Sequence, residues 1–161
     1  MNIWITSDTH FYHSRIISSE LEDRPFDDMN DMNEAIVDNW NSLVHPKDII
    51  FHLGDVSLGR AQDTRDICNS LNGLKVLVYG NHDYQRTVSF WQKAGFVYIS
   101  KKPIDLGAVI LSHEPLKEVP DEVFNIHGHT HSKIRKVSER HINVSMDVTD
   151  FKPVLLENLF C

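Results

Sequence analysis

Leu74-Lys75-Val76-Leu77-Val78-Tyr79-Gly80-Asn81-His82-Asp83 is the stretch that decides the architecture. An apolar, β-branched run of this length, closed by glycine, reads as a buried strand. Gly80 frees the backbone to turn, which places Asn81, His82 and Asp83 at the rim of a sheet. Residues 84 to 94 then read as helical up to Gly95, a suitable C-terminal cap.

The same arrangement occurs four more times. Residues 2 to 7 form a β-rich run that stops at Asp8-Thr9-His10, with a helix expected after Phe11. Asp48 to Leu53 is a strand ending at Gly54-Asp55. Two later apolar runs end at Ser112-His113 and at His127-Gly128-His129-Thr130-His131. Ligands of open α/β sheets bind beyond the carboxyl ends of the strands, so all five polar clusters can converge on one crevice.

Between the clusters, residues 28 to 44 carry Met29, Met32, Ile36, Trp40 and Leu43 at spacings of three and four. This is an amphipathic helix with one buried stripe. A further helical stretch is expected over 60 to 71. Beyond Gly95 the pattern becomes a series of short β-like runs, at 96 to 99, 103 to 106, 108 to 112, 123 to 127, 134 to 138 and 141 to 145. Alternating strand and helix in the first half predicts parallel strands, and the second half predicts a mostly antiparallel sheet. Two packed mixed β-sheets with outer helices satisfy both, in a single α/β domain over residues 1–161.

Composition bounds the function. The 161 residues suffice for one real core, and 41% hydrophobic with 24% charged residues is ordinary for a globular protein. No apolar run approaches a membrane span, and the N-terminus lacks the pattern of a signal peptide, so a cytoplasmic location is expected. Cys68 and Cys161 form no metal or redox motif, which suits a reducing compartment. A formal net charge of −7 opposes stable binding of nucleic acid through a basic face. Two divalent cations would offset four of those charges locally.

Ten histidines are the more telling count, since neutral imidazole is a common metal ligand. Asp, Asn and His together suit manganese, iron, zinc, nickel or cobalt better than calcium or magnesium. No cysteine joins them, which disfavours a structural zinc site. Each cluster alone is ordinary turn or capping chemistry. All five in one order are not.

That order resembles the calcineurin-like metallophosphoesterase superfamily, whose pattern is Asp-x-His, Gly-Asp, Gly-Asn-His-Asp/Glu, His and Gly-His-x-His. The resemblance runs from Asp8 to His131. Thr6-Ser7-Asp8-Thr9-His10-Phe11, Arg24-Pro25-Phe26, Asn39-Trp40-Asn41 and His52-Leu53-Gly54-Asp55 are similar to short bacterial and phage phosphoesterases of this type. The resemblance implies a four-layer α/β/β/α sandwich and two divalent transition-metal ions, manganese first among them. It implies that Asp8, His10 and His131 hold one ion, that Asn81, His113 and His129 hold the other, and that Asp55 bridges them. His82 then stands beside the ions without binding either.

Such a pair clamps phosphoryl oxygens and generates a hydroxide near neutral pH, which attacks phosphorus in line. His82 is the expected acid for the leaving group, with Asp83 orienting or charging it. His13 is weighed between facing the substrate phosphate and a capping role, and Arg24 between a phosphate contact and a surface charge. His127 and His52 are expected in packing or behind the ligands. Gly54-Asp55 is not followed by the x-x-Asp-Arg-Gly of the protein phosphatases, which disfavours that activity. The expected function is a metal-dependent phosphoric ester hydrolase acting on small phosphodiesters, nucleotides or cyclic nucleotides among them. A phosphomonoesterase and a non-catalytic metal- or nucleotide-binding module are its rivals.

Overall fold

The computed structural model describes residues 1–17, 24–132 and 137–160. Strand β1 (Ile3–Thr6) alternates its side chains, Trp4 and Thr6 to one face and Ile5 to the other. It pairs in parallel with β2 (Ile49–His52), which pairs in parallel with β3 (Leu74–Val78). Strand β4 (Phe96–Ser100) lies parallel beside β3. The two-residue β9 (Val154–Leu155) closes the other edge against β1 in the antiparallel sense. The order is β4-β3-β2-β1-β9.

A second sheet has the order β5-β6-β7-β8, with β5 (Ile104–Asp105), β6 (Val109–Leu111), β7 (Phe124–His127) and β8 (His141–Asn143). The mostly antiparallel expectation is corrected here: only β5 and β6 run antiparallel, while β6, β7 and β8 are parallel. Parallel neighbours need crossovers of about a dozen residues, and the segments 112–123 and 128–140 supply them. The run at 96 to 99 belongs to the first sheet. Of the run at 134 to 138, residues 134–136 lie outside the described residues and 137–138 are not strand.

Three helices cover the outer face of the five-stranded sheet. Helix α1 (Met29–Leu43) starts at Asp28, whose side chain accepts from the Asn30 and Asp31 amides, and it buries Met32, Ile36 and Trp40. Helix α2 (Ala61–Ser70) buries Ile67 and Cys68, and α3 (Val88–Lys93), capped by Thr87, buries Trp91. All of these pack in one cluster with Trp4, Ile50 and Leu77, each large side chain contributing about 1.5–3 kcal/mol. The helix expected after Phe11 is, in the described residues, only a 3-10 turn at Ser14–Ile16. Among the described residues no helix is long and apolar enough to cross a membrane.

The two sheets meet through Ile5, Leu53 and Val78 on one side and Val109, Leu111, Ile126 and Val144 on the other. The helix-flanked, two-sheet sandwich is as expected, with a difference in one outer layer. The four-stranded sheet is covered by the non-helical segment 112–123, held where the Leu116 amide donates to Asn125 Oδ1 and the Leu116 carbonyl meets His141 Nε2. Because β1, β2 and β3 are parallel, and so are β6 and β7, the carboxyl ends of five strands share one edge of the sandwich.

Candidate metal centre

At that edge the chain leaves β1, β2 and β7 through turns that few residue types tolerate. Asp8, His10, Asp55, His129 and His131 all have left-handed backbones, with φ of 58°, 49°, 58°, 67° and 47°. Outside glycine this region is enriched only in Asn, Asp and His, and each such residue costs of the order of 1–3 kcal/mol. The turns brace one another. Asp8 N donates to Gly54 O at 2.9 Å and His10 N to Asp55 O at 3.1 Å. Gly54, at φ 96°, lies so close to Gly80 and His113 that a side chain there would collide with both.

Asp83 joins the turns. Its Oδ2 accepts from the Asp55 and Gly80 amides, both at 2.8 Å, and its Oδ1 from the Val56 amide at 3.1 Å. Burial pushes its carboxyl up to about 7, against the pull of these amides. The expectation that Asp83 orients or charges His82 is therefore corrected: both oxygens are engaged by backbone, and the residue clamps the Gly54-Asp55-Val56 turn to the Gly80-Asn81 turn.

One cluster of donor atoms contains Asp8, His10 and His131. Asp8 Oδ1 lies 3.8 Å from His10 Nε2 and 3.7 Å from His131 Nε2. Asp8 Oδ2 is occupied, accepting from the His129 amide and from Ser145 Oγ, both at 2.9 Å. His131 donates from Nδ1 to Asp147 Oδ2 at 2.7 Å, which leaves its Nε2 lone pair facing Asp8. Burial raises the Asp147 carboxyl, but the His131 bond and the Arg24 charge prevail and bring it down to about 2.

Arg24 is 2% exposed. Nε and Nη2 fork onto Asp147 at 2.9 and 3.0 Å, Nη2 also reaches Asp8 O at 2.7 Å, and Nη1 donates to Thr9 O at 3.0 Å and Met32 Sδ at 3.5 Å. A guanidinium has five N–H donors, so none remains for a substrate phosphate. Both readings offered for Arg24, a phosphate contact and a surface charge, are corrected: it is a buried brace of the Asp8-Thr9 turn.

A second cluster contains Asn81, His113 and His129. His113 donates from Nδ1 to Leu53 O at 2.7 Å, which leaves Nε2 as an acceptor. That nitrogen lies 2.9 Å from Asn81 Oδ1 and 3.1 Å from His129 Nδ1, and Asn81 Oδ1 lies 3.1 Å from His129 Nδ1. Three donor atoms able to ligate a metal thus converge within 3.1 Å of one another. Between the clusters stands Asp55. Its Oδ1 accepts from the His82 amide at 2.9 Å, and its Oδ2 lies 3.7 Å from His10 Nε2 and 3.6 Å from His113 Nε2.

His82 and His13 border the first cluster. The His82 ring lies 5.6 Å from His10 and 6.4 Å from His13, with its Nε2 3.8 Å from Asp55 Oδ2. Burial holds the His13 and His10 imidazoles below their ordinary pKa, His10 far below, with neighbouring positive groups adding to the effect. His52 stands behind the turns: it accepts from the Gly54 amide at Nδ1 and meets Thr9 Oγ1 at Nε2. His127 packs its ring against His141.

These donors fit divalent cations. Among the described residues, Asp8 Oδ1 and both ring nitrogens of His10 are buried without a hydrogen-bond partner, an arrangement that costs about 1–3 kcal/mol per group unless something binds there. Ligands about 2.0–2.1 Å from one tetrahedral ion lie roughly 3.4 Å apart, and separations of 3.6–3.8 Å are too long for hydrogen bonds between the same atoms. Asp8, His10 and His131, and separately Asp8, Asp55 and His113, bring one donor atom each within 4.8 Å of one another.

The sequence reading missed Asp147, Ser145 and Leu53 O as supports of the donor atoms. Asp147 carried one signal: it follows the last β-like run as the five clusters follow theirs.

Several known proteins are similar to this chain. The uncharacterized protein MJ1445 of Methanocaldococcus jannaschii is 33% identical over 96% of this chain and 87% of its own length. The Gene 66 protein of Mycobacterium phage D29 is 27% identical over 91% of this chain and 88% of its own. Among solved structures, the protein of unknown function AQ665 from Aquifex aeolicus superposes with a TM-score of 0.73 at 26% identity, covering 98% of this chain and 97% of that one. Pseudomonas putida nuclease MPE shares the fold, with a TM-score of 0.54 at 19% identity over 80% of this chain and 61% of its own. The sequence pattern of the calcineurin-like phosphoesterases matches residues 1–157, nearly the whole length on which both clusters are built, and the chain belongs to that family.

Proposed function

We propose that the protein is a cytoplasmic, dinuclear metal-dependent phosphoesterase that hydrolyses small phosphodiesters. The observation that carries this reading is the position of Asp55 Oδ2, within 3.6–3.8 Å of His10, His113 and His82 nitrogens. One carboxylate oxygen is shared by two donor clusters and by a ring left over to move a proton. Asp8, His10 and His131 would hold one ion, Asn81, His113 and His129 the other, with Asp55 common to both. Manganese is the first metal to test.

Divalent cations, when bound, supply polarisation of the phosphoryl oxygens and a lowered pKa for water. The residues of the chain do the rest. The bonds from His131 to Asp147 and from His113 to Leu53 hold each ring with Nε2 toward the site. Water attacks phosphorus in line and gives up a proton to solvent, a new P–O bond forms as the ester P–O bond breaks, and His82 Nε2 delivers to the departing alkoxide a proton that the imidazole then regains from solvent. The His82 side chain is 34% exposed, so a substrate can reach it. A phosphodiester is favoured over a monoester because a cavity opens beside Asn81 and His113, giving a second ester substituent room.

With manganese present, bis(4-nitrophenyl) phosphate is expected to be turned over with a higher kcat/KM than 4-nitrophenyl phosphate. On a diester whose leaving group departs as an alkoxide, such as a dinucleoside monophosphate, His82→Ala is expected to lose about 10²–10⁴ in rate with its metal content preserved. Faster monoester turnover would replace the diesterase by a monoesterase. An unchanged His82→Ala rate would overturn the role of that residue, and no metal-dependent turnover of either ester would overturn catalysis.

A further inference from the structure

The cavity beside Asn81 and His113 carries chemistry that hydrolysis of a bare diester does not use. It encloses about 510 Å³, and its walls include Tyr84, Lys101, Lys102 and Lys117. Tyr84 is 57% exposed yet braced. Its ring stands at right angles to that of Tyr79 at 4.9 Å, and its hydroxyl donates to Lys101 O at 3.3 Å. Lys101 Nζ lies 5.4 Å from the Tyr79 ring centre and 5.7 Å from that of Tyr84, within cation–π range.

Charge makes the wall unusual. Among the described residues none of the three ammonium groups has a carboxylate within 4.0 Å, although the chain has a formal charge of −7. One carboxylate, Glu114, lines the same cavity. Three cationic residues lining one cavity draw anions into it. An exposed aromatic ring next to unpaired cations is the combination that holds a base and its phosphate together.

Direction follows from the rings. His82 makes its ring contacts with His10 and His13, whereas the cavity is walled by Asn81 and His113. The leaving alkoxide therefore departs on the flank of His82, and the substituent that stays on phosphorus faces the cavity.

We propose that this cavity is the subsite for the retained ester substituent and that the substituent is a nucleotide, its base laid on Tyr84 and a further phosphate held by Lys101, Lys102 and Lys117. The inference rests on the phosphodiesterase reading above. It makes the preferred substrate a nucleotidyl diester with more than one phosphate.

Esters that share 4-nitrophenolate as leaving group isolate this subsite. The manganese-loaded protein is assayed with ethyl 4-nitrophenyl phosphate, with the 4-nitrophenyl ester of thymidine 5′-phosphate, and with the latter bearing a 3′-phosphate. Expected kcat/KM rises about tenfold or more from ethyl to thymidine and about tenfold again with the added phosphate. Tyr84→Ala removes the first gain. The Lys101→Ala, Lys102→Ala double variant removes the second, the corresponding arginine variant restores it, and high salt shrinks it in the wild type. Equal kcat/KM for all three esters, or a phosphate gain indifferent to salt, overturns the subsite while the diesterase reading stands. No turnover of any of the three overturns the diesterase reading itself.

Discussion

His131 donates its Nδ1 proton to Asp147 Oδ2 across 2.7 Å, and that one bond decides which nitrogen of the ring faces Asp8. Asp147→Asn puts an amide where a carboxylate stood and frees the ring to turn or change tautomer. Manganese affinity, measured by competition with a chromogenic chelator, is expected to fall about 10–100-fold. An unchanged affinity would mean that packing against His10 alone orients the ring.

Arg24 and Asp147 form a buried ion pair, which His131 on the carboxylate and the Asp8 and Thr9 carbonyls on the guanidinium extend into a network. Removing one partner of such a pair typically costs about 3–5 kcal/mol. Arg24→Met is expected to lose that much unfolding free energy in urea titration. Arg24→Lys should recover little, because an ammonium cannot serve Asp147, Asp8 O and Thr9 O together. A variant as stable as the wild type would refute the role given to the guanidinium.

Cys68 is fully buried, and burial pushes its thiol up to about 12. In a Cys161→Ser background, iodoacetamide at neutral pH is expected to leave the native protein unlabelled and to modify Cys68 once the chain is unfolded. Rapid native labelling would show that α2 opens far more readily than its packing implies.

Lys75 lies beneath the helices with its Nζ donating to Leu71 O at 2.7 Å, and burial lowers its pKa from the ordinary 10.5. Between the lowered value and 10.5 the unfolded chain holds the proton more tightly than the folded one, so stability rises with pH across that window. Lys75→Met is expected to gain about 1 kcal/mol at neutral pH. The gain should shrink toward the upper end of the window, as read by thermal denaturation of both proteins. A gain that is constant with pH would assign the cost to shape and not to charge.

The five polar clusters were legible because each follows a strand that could only be buried, so His113 and His129 could be placed at a rim without knowledge of the sheet order. Strand direction was not legible. Runs as short as Val109–Leu111 and Phe124–His127 have no polarity of their own, and the crossover at 112–123 is what makes them parallel. Arg24 was out of reach for another reason: its partner Asp147 is 123 residues away, and neither side chain announces the other. Asp83 misled because it adjoins His82 in sequence, while the turn beginning there sends its carboxylate back into the backbone of Asp55 and Val56.

The left-handed backbones at Asp8, His10, Asp55, His129 and His131 also restrict which elements the chain can come to prefer. A change of metal by ligand exchange, such as thiolates for a softer ion, would have to put cysteine where the main chain welcomes little besides asparagine, aspartate and histidine. The coordinating alphabet is thus written by the backbone before any ion is chosen, which leaves Asn81 and His113, whose main chain is not left-handed, as the positions at which ligand exchange is least obstructed.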